Sequence, residues 1–126
     1  MQASVLIVDD DASVRRSLAR LLRAHGYGVV VAEDAGALSQ LVEAHHPALV
    51  LIDMVMTGDD PLETVRRLKS RVSSAPPVIA LTASPPLARA DRVLFAAVLT
   101  KPCDAGVLMS AIESALAAEG SKRRAM

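Results

Sequence analysis

Five short runs of apolar residues recur along the chain, and none of them alternates with polar residues. Each run is rich in valine, isoleucine and leucine, which is typical of strands that are covered on both faces of a parallel sheet. The runs are VLIV at 5–8, VVVA at 29–32, ALVLI at 48–52, VIAL at 78–81 and AVL at 97–99. We therefore predict five buried β-strands.

The segments between these runs carry apolar residues at the spacing of one helix face. The predicted helices lie in 12–25, 35–45, 61–72 and 104–118, with a short and poorly defined one in 87–95. Strands that alternate with helices in this way predict an α/β fold, a three-layer sandwich with right-handed crossovers. The final residues, EGSKRRAM, are typical of a loose tail. We predict one domain over 1–118 and a C-terminal tail over 119–126.

Composition narrows the class of protein. The chain has 126 residues, of which 52% are apolar, so it can bury a core of its own. Its 14 basic and 14 acidic residues cancel, which gives no general attraction to nucleic acid or anionic membranes. No apolar run approaches the roughly 20 residues that cross a bilayer. The single cysteine, Cys103, suits a reducing compartment. These features predict a soluble cytoplasmic protein.

Polar residues collect where the predicted strands end. Asp9 and Asp10 follow the first strand, Asp53 ends the third, Thr82 ends the fourth, and Lys101 follows the fifth. Parallel α/β sheets place their active residues at this edge. The acids repel one another and one lysine is too little to balance them, so we expect a hard divalent cation such as Mg²⁺. The hydroxyl and the ammonium could then hold an anion. The set predicts a phosphoryl-transfer site.

Four motifs at these strand ends, VLIVDDD, LVLIDMVM, VIALTA and LTKP, stand in the order of a known family. The chain resembles the receiver domain of two-component response regulators over residues 3–118. The resemblance implies a flavodoxin-like receiver fold with a five-stranded parallel sheet in the order 2-1-3-4-5. It implies that Asp53 accepts a phosphoryl group from a phosphohistidine of a sensor histidine kinase or a histidine phosphotransfer protein. Such a protein is a signalling phosphoacceptor rather than an enzyme, with self-catalysed phosphotransfer and autodephosphorylation only.

The resemblance also assigns the metal ligands. Asp10 would bind Mg²⁺ directly and Asp9 mainly through water. Asp53 and the backbone carbonyl of Val55 would be further ligands. No other cofactor is implied.

On the opposite side of the phosphoryl group, the resemblance gives one oxygen to Thr82 and another to Lys101. The Lys101–Pro102 peptide bond is expected to be cis, which places the ammonium. Receivers usually carry a tyrosine or phenylalanine three residues before this lysine, where this chain has Val98. The departure affects the face built by the fourth helix, the fifth strand and the fifth helix. A monomer, or a weak homodimer through that face, is expected.

Two other functions compete with phosphorylation-controlled signalling. Val98 and the short fourth helix leave open a receiver-fold binding module that acts without phosphorylation, but the complete set of site residues argues against it. A hydrolase with an aspartyl-phosphate intermediate would need a second acid two residues after Asp53, where Val55 stands. No nucleic-acid-binding motif fits in the remaining residues. Output is therefore expected through an unknown downstream protein or through an output domain absent from this chain.

Overall fold

The structure is a computed structural model that describes residues 3–56, 58–83 and 87–125, with side chains as far as Ser121. Strands and α-helices alternate along these residues. In chain order they are β1 Ser4–Val8, α1 Ala12–Ala24, β2 Gly28–Ala32, α2 Leu38–His45, β3 Leu49–Asp53, α3 Pro61–Arg71, β4 Val78–Thr82, α4 Arg89–Arg92, β5 Ala97–Thr100 and α5 Ala105–Ala125.

The five strands form one parallel sheet in the order β2-β1-β3-β4-β5. The α/β receiver fold and its strand order are therefore confirmed. Each observed strand lies within one residue of its predicted run at either end. Strand β3 pairs with β1 on one side and with β4 on the other. Every residue of β3 and β4 is buried.

Two hydrophobic clusters cover the two faces of the sheet. Val5 and Ile7 of β1 pack on one face, with α1 and α5 above them. Leu6 and Val8 pack on the other face, against α2 and α3. Because successive side chains of a strand point to opposite faces, a strand buried on both sides must be apolar at every position. This explains the absence of polar alternation in the sequence.

Several helix boundaries depart from expectation. The segment predicted as one helix over 35–45 begins with a 3₁₀ turn at Ala35–Ala37 and becomes α-helical only from Leu38. The Asp34 carboxylate accepts a hydrogen bond from the Gly36 backbone N–H at 2.6 Å, which tightens this first turn. By contrast, α4 has only four residues, so the predicted short fourth helix is confirmed.

The backbone of residues 119–125, which the sequence places in a C-terminal tail, is helical, because α5 continues through Ala125. The residues of α5 that pack on the sheet end at Ala115 and Leu116, so the extension is not held by the main core. Residue 126 lies outside the described residues. The boundary of the domain at 118 stays a prediction.

Position 98, where receivers usually carry an aromatic residue, is a valine, but an aromatic residue, Phe95, lies nearby in the chain. Phe95, which precedes β5, is buried in the cluster on the α2–α3 side, and the partly buried Val98 packs against the same cluster. The ring is therefore part of the core.

None of the helices in the described part of the chain combines the length and the apolar character that a bilayer span requires.

Candidate functional site

The candidate site lies at the carboxyl edge of the sheet, between β1 and β3. The helices that follow these two strands, α1 and α3, pack on opposite faces of the sheet. In an open α/β sheet this divergence leaves a crevice beyond the strand ends. The strand register brings Val8 beside Ile52 and Asp53 beside Leu81, so the residues that end β1, β3 and β4 emerge at one level.

Asp9 is the most deeply buried polar residue of the site, with 1% of its surface exposed. Its Oδ1 accepts a hydrogen bond from the Asp11 backbone N–H at 2.9 Å. Its Oδ2 is buried and has no hydrogen-bond partner within the described residues. The Lys101 Nζ lies 3.6 Å from this oxygen, which is an ion-pair contact but too long for a hydrogen bond. A buried carboxylate oxygen whose one described cation partner lies 3.6 Å away would be stabilised by a closer cation.

Asp53 is also buried, and both of its carboxylate oxygens are engaged. Oδ1 accepts a hydrogen bond from the Val55 backbone N–H at 3.0 Å. Oδ2 accepts one from the Lys101 Nζ at 2.8 Å. These two contacts fix the orientation of the carboxylate at the end of β3.

Asp10 completes a group of three carboxylates. One oxygen from each of Asp9, Asp10 and Asp53 lies within 4.8 Å of the others, and Asp10 is exposed while the other two are buried. Oxygen ligands at this spacing suit a hard divalent cation, and the exposed Asp10 leaves an open side for water ligands. The donor set and the buried Oδ2 of Asp9 therefore fit Mg²⁺, and Asp9, Asp10 and Asp53 could hold it.

The protonation of the site reflects this crowding. Burial raises the pKa of Asp9, and the charges of Asp53 and Asp10 add to the effect, while the Asp11 N–H and Lys101 act against it. Burial lowers the pKa of Lys101, but its hydrogen bond to Asp53 and the charges of Asp53 and Asp9 outweigh burial, so its pKa lies above the ordinary value. Lys101 is therefore a firmly charged ammonium between two carboxylates.

Thr82 and Lys101 are brought together by backbone pairing at the ends of β4 and β5. The Lys101 backbone N–H donates to the Thr82 carbonyl at 2.9 Å. Thr82 is 3% exposed, on the strand that neighbours Asp53. The Lys101–Pro102 peptide bond is cis, as expected. The structure thus brings together the side chains of Asp9, Asp10, Asp53 and Lys101, and it places the Thr82 backbone beside Lys101. The roles of these residues and the direction of the Val55 carbonyl stay predictions.

One residue of the site region was missed by the sequence analysis. The Arg15 Nη1 donates a hydrogen bond to the backbone carbonyl of Asp9 at 2.7 Å, and so ties the first turn of α1 to the loop that carries the acids. The sequence shows Arg15 only as one of four arginines on α1, and a bond to a backbone oxygen leaves no trace in side-chain type.

A parallel sheet with carboxylates and one lysine at its central crevice defines the class of receiver-like α/β signalling domains. The chain matches the response regulator receiver domain family over residues 5–113, and it belongs to this family. Response regulators are signalling proteins, and the resemblance seen in the sequence is confirmed.

Among curated relatives, the chain is 39% identical to response regulator MprA of Mycolicibacterium vanbaalenii over 83 residues, which is 66% of this chain and 36% of that protein. It is 36% identical to response regulator MprA of Mycobacterium ulcerans over 83 residues, 66% of this chain and 35% of the relative. The match thus spans little more than a third of these relatives' length.

Among solved structures, the chain is similar to the N-terminal domain of a response regulator/sensory box/GGDEF 3-domain protein from Carboxydothermus hydrogenoformans. The TM-score is 0.82 at 27% identity, over 94% of this chain and 98% of that one. It is also similar to the signal receiver domain of a modulated diguanylate cyclase from Desulfovibrio desulfuricans G20. Here the TM-score is 0.84 at 28% identity, over 97% and 99% of the two chains.

Proposed function

We propose that the chain is a phosphoacceptor, in which Asp53 takes a phosphoryl group from the phosphohistidine of a sensor histidine kinase or a histidine phosphotransfer protein. The observation that carries the proposal is the position of the Asp53 carboxylate. It lies within a set of carboxylates that fits a divalent cation, and it is hydrogen-bonded to Lys101 at 2.8 Å. A nucleophile flanked by a cation site and an ammonium is the arrangement that phosphoryl transfer requires.

Mg²⁺ would be held by Asp9, Asp10 and Asp53, with the backbone carbonyl of Val55 as a further ligand. When bound, it supplies positive charge that offsets the repulsion between an acceptor carboxylate and an incoming phosphate. The buried Oδ2 of Asp9, which has no hydrogen-bond partner among the described residues, supports this assignment.

In the transfer step, an oxygen of Asp53 attacks the phosphorus atom of the donor. The new bond joins this oxygen to phosphorus, the bond between phosphorus and the donor imidazole nitrogen breaks, and its electron pair stays on that nitrogen. The Val55 N–H holds Oδ1 and thereby limits rotation of the carboxylate. This positioning lowers the entropic cost of the attack.

Lys101 and Thr82 would act mainly on the product. The ammonium that now bonds to Asp53 Oδ2 is in reach of a phosphoryl oxygen placed on the same carboxylate. The Thr82 hydroxyl would donate to a second phosphoryl oxygen. Hydrogen bonds to charged oxygens are worth about 1.5–3 kcal/mol each, so they favour a backbone arrangement that differs from the unphosphorylated one. Signalling would follow through a contact with a downstream protein or an output domain.

Labelling with a small phosphoryl donor tests the proposal. Acetyl phosphate with Mg²⁺ should add one phosphoryl group to the wild-type chain, at Asp53, as read by intact-mass and peptide mass spectrometry. Asp53→Asn should take up none. Asp60→Asn is the matched control, because Asp60 is an exposed acid that caps α3 and asparagine caps equally well. Equal labelling of wild type and Asp53→Asn contradicts the assignment, and no labelling of either favours a binding module.

A second variant distinguishes the residues that would bind the metal from those that would bind the phosphoryl group. Lys101→Ala should bind Mg²⁺ at least as tightly as wild type, because the ammonium competes with a metal ion for the carboxylates of Asp53 and Asp9. Its amide shifts on addition of beryllofluoride should be weaker than in wild type. A loss of Mg²⁺ affinity with an unchanged beryllofluoride response would show that these roles are reversed.

A further inference from the structure

A groove of about 530 Å³ runs between α1 and the edge strand β2, on the side of α1 that faces away from α5 and the strand-end lysine. Its lining consists of arginines and small apolar residues. They are Ala12, Arg15, Arg16, Ala19, Arg20, Arg23 and Val31. No carboxylate lines the groove among the residues that the structure describes.

The positive charge of this groove is not balanced locally. Arg16, Arg20 and Arg23 are exposed, and within the described residues they take part in no ion pair. Arg66 of α3, in contrast, is paired with Glu63 and Asp91. Like charges three or four residues apart destabilise a helix. Only Arg23 lies in the last turn of α1, where the helix dipole favours a cation.

We propose that the groove binds a small anion with at least two phosphate groups. Guanidinium groups bind phosphate oxygens through paired N–H donors, and several around one groove give a site for a multiply charged ligand. Arg16 and Arg23 are seven residues apart on α1, which is about 10 Å along the helix axis. Because the arginines are spread over this length, a ligand with more than one phosphate can contact more of them than a single phosphate can.

The ends of the groove favour a small ligand over a polymer. The three aspartates at 9–11 precede α1 and would repel a polyanion that continued past Ala12. The chain as a whole has no net charge, so no overall field attracts a nucleic acid to it. The volume lies within the range of small-molecule sites, which is about 300–1,000 Å³.

Part of the site is already ordered. Arg15 lines the groove, and its Nη1 is held by the Asp9 carbonyl at 2.7 Å. A guanidinium held in this way loses less side-chain entropy when an anion binds to its other N–H groups. Val31, Ala12 and Ala19 give the groove an apolar floor that excludes water from one side of the ligand.

Sodium tripolyphosphate is the probe for this site. The full chain is titrated in EDTA, without Mg²⁺ or a phosphoryl donor, by calorimetry and by ¹H–¹⁵N NMR, so the result does not depend on the proposed phosphoacceptor function. We expect saturable one-to-one binding, with amide shifts in residues 12–23 and 28–32. Orthophosphate should bind at least about tenfold more weakly, because it can use only part of the arginine stripe.

A triple variant removes the ligand contacts. Arg16→Gln, Arg20→Gln and Arg23→Gln together should reduce tripolyphosphate affinity by at least about a hundredfold, if each lost charged contact contributes a factor of several. Circular dichroism verifies that the variant is folded.

The matched control removes the same charge from another surface. Arg71→Gln, Arg89→Gln and Arg92→Gln together take three exposed arginines from α3 and α4 and should leave affinity within about twofold, since distant exposed charges are screened.

Four results would overturn the proposal. The two triple variants could lose affinity equally, which would show a response to net charge alone. A polycarboxylate of equal charge could bind as tightly as tripolyphosphate with the same shifts, which would remove the preference for phosphate. The amide shifts could fall outside α1 and β2, which would place the binding site elsewhere. A single-stranded oligonucleotide could bind more tightly at the groove than tripolyphosphate, which would make the groove a polymer site.

Discussion

Replacing Asp9 by asparagine removes one negative charge from the most crowded part of the strand-end site while keeping the shape of the side chain. Asparagine retains the Oδ1 acceptor for the Asp11 N–H, which is bonded at 2.9 Å in the wild type. The atom that changes is Oδ2, which is buried without a hydrogen-bond partner among the described residues. Burial raises the pKa of Asp9. A carboxyl whose pKa is higher in the folded than in the unfolded chain costs stability once the pH is above both values.

The change in the free energy of unfolding caused by Asp9→Asn is the sum of two opposing contributions. A buried polar group without a partner costs about 1–3 kcal/mol, which asparagine relieves in part. Asparagine loses the ion-pair contact with Lys101 at 3.6 Å. That contact is long, and Lys101 keeps its hydrogen bond to Asp53, so we assign the loss about 0–1 kcal/mol. We expect the metal-free variant to be more stable by about 1 kcal/mol, which is about 3–5 °C in Tm for a domain of this size.

Thermal unfolding in EDTA and in Mg²⁺ is the assay. In EDTA, Asp9→Asn should melt above the wild type. In Mg²⁺ at about a hundred times the wild-type Kd, the wild type should gain about 2.7 kcal/mol and the variant much less, so that the order of the two midpoints reverses. Asp34→Asn is the control, because Asp34 is an exposed cap that asparagine can replace.

If Asp9→Asn melts below the wild type in EDTA, the buried oxygen has a favourable partner in the wild type and the expected gain in stability is refuted. Equal stabilisation of both proteins by Mg²⁺ would also contradict the prediction. Asp9 would in that case lie outside the metal site.

Three further changes test the capping, packing and pairing described above. Asp60→Ala removes the acceptor for the Leu62 N–H at the start of α3 and should cost about 1 kcal/mol in urea unfolding, while Asp60→Asn should stay close to wild type. Ile52→Ala, at a fully buried position of β3, should cost about 2–5 kcal/mol, and Ile52→Val about 0.5–1.5 kcal/mol, in the same assay. Arg66→Ala breaks the contact to Asp91 and should speed hydrogen exchange in residues 89–95 without a matching loss of global stability, because α4 has only four residues. Unchanged exchange there would show that other contacts hold α4.

The strands could be predicted from the sequence because a strand buried on both faces is apolar at every position and therefore forms an uninterrupted apolar run. Val50, Leu51 and Ile52 of β3 illustrate this, since all three are buried although they point to alternating faces. The site could be predicted for a related reason. Parallel strands end at one edge, so the residues that follow them in the sequence must meet there.

Other features depend on contacts that the sequence does not display. Gly36 lies so close to Asp59 that a Cβ at position 36 would stand 2.6 Å from a carboxylate oxygen of Asp59. Gly36 belongs to the 3₁₀ turn at Ala35–Ala37, where the periodicity of the sequence predicted an α-helix. The direct hydrogen bond between Lys101 and Asp53 joins residues 48 apart. Beyond Leu116, α5 has no apolar stripe from which a helix could be predicted, because little of this part of the helix packs on the core.

The zero net charge of the chain conceals a separation of charge around the start of α1. On one side, Asp9, Asp10 and Asp53 face a single lysine, so this pocket has an excess of negative charge. On the other side, arginines line the groove against β2. Arg15 stands between the two and donates to the Asp9 carbonyl. A cation at the first site and an anion at the second would each reduce a local repulsion. Because both sites are partly exposed, added salt should weaken both of these attractions.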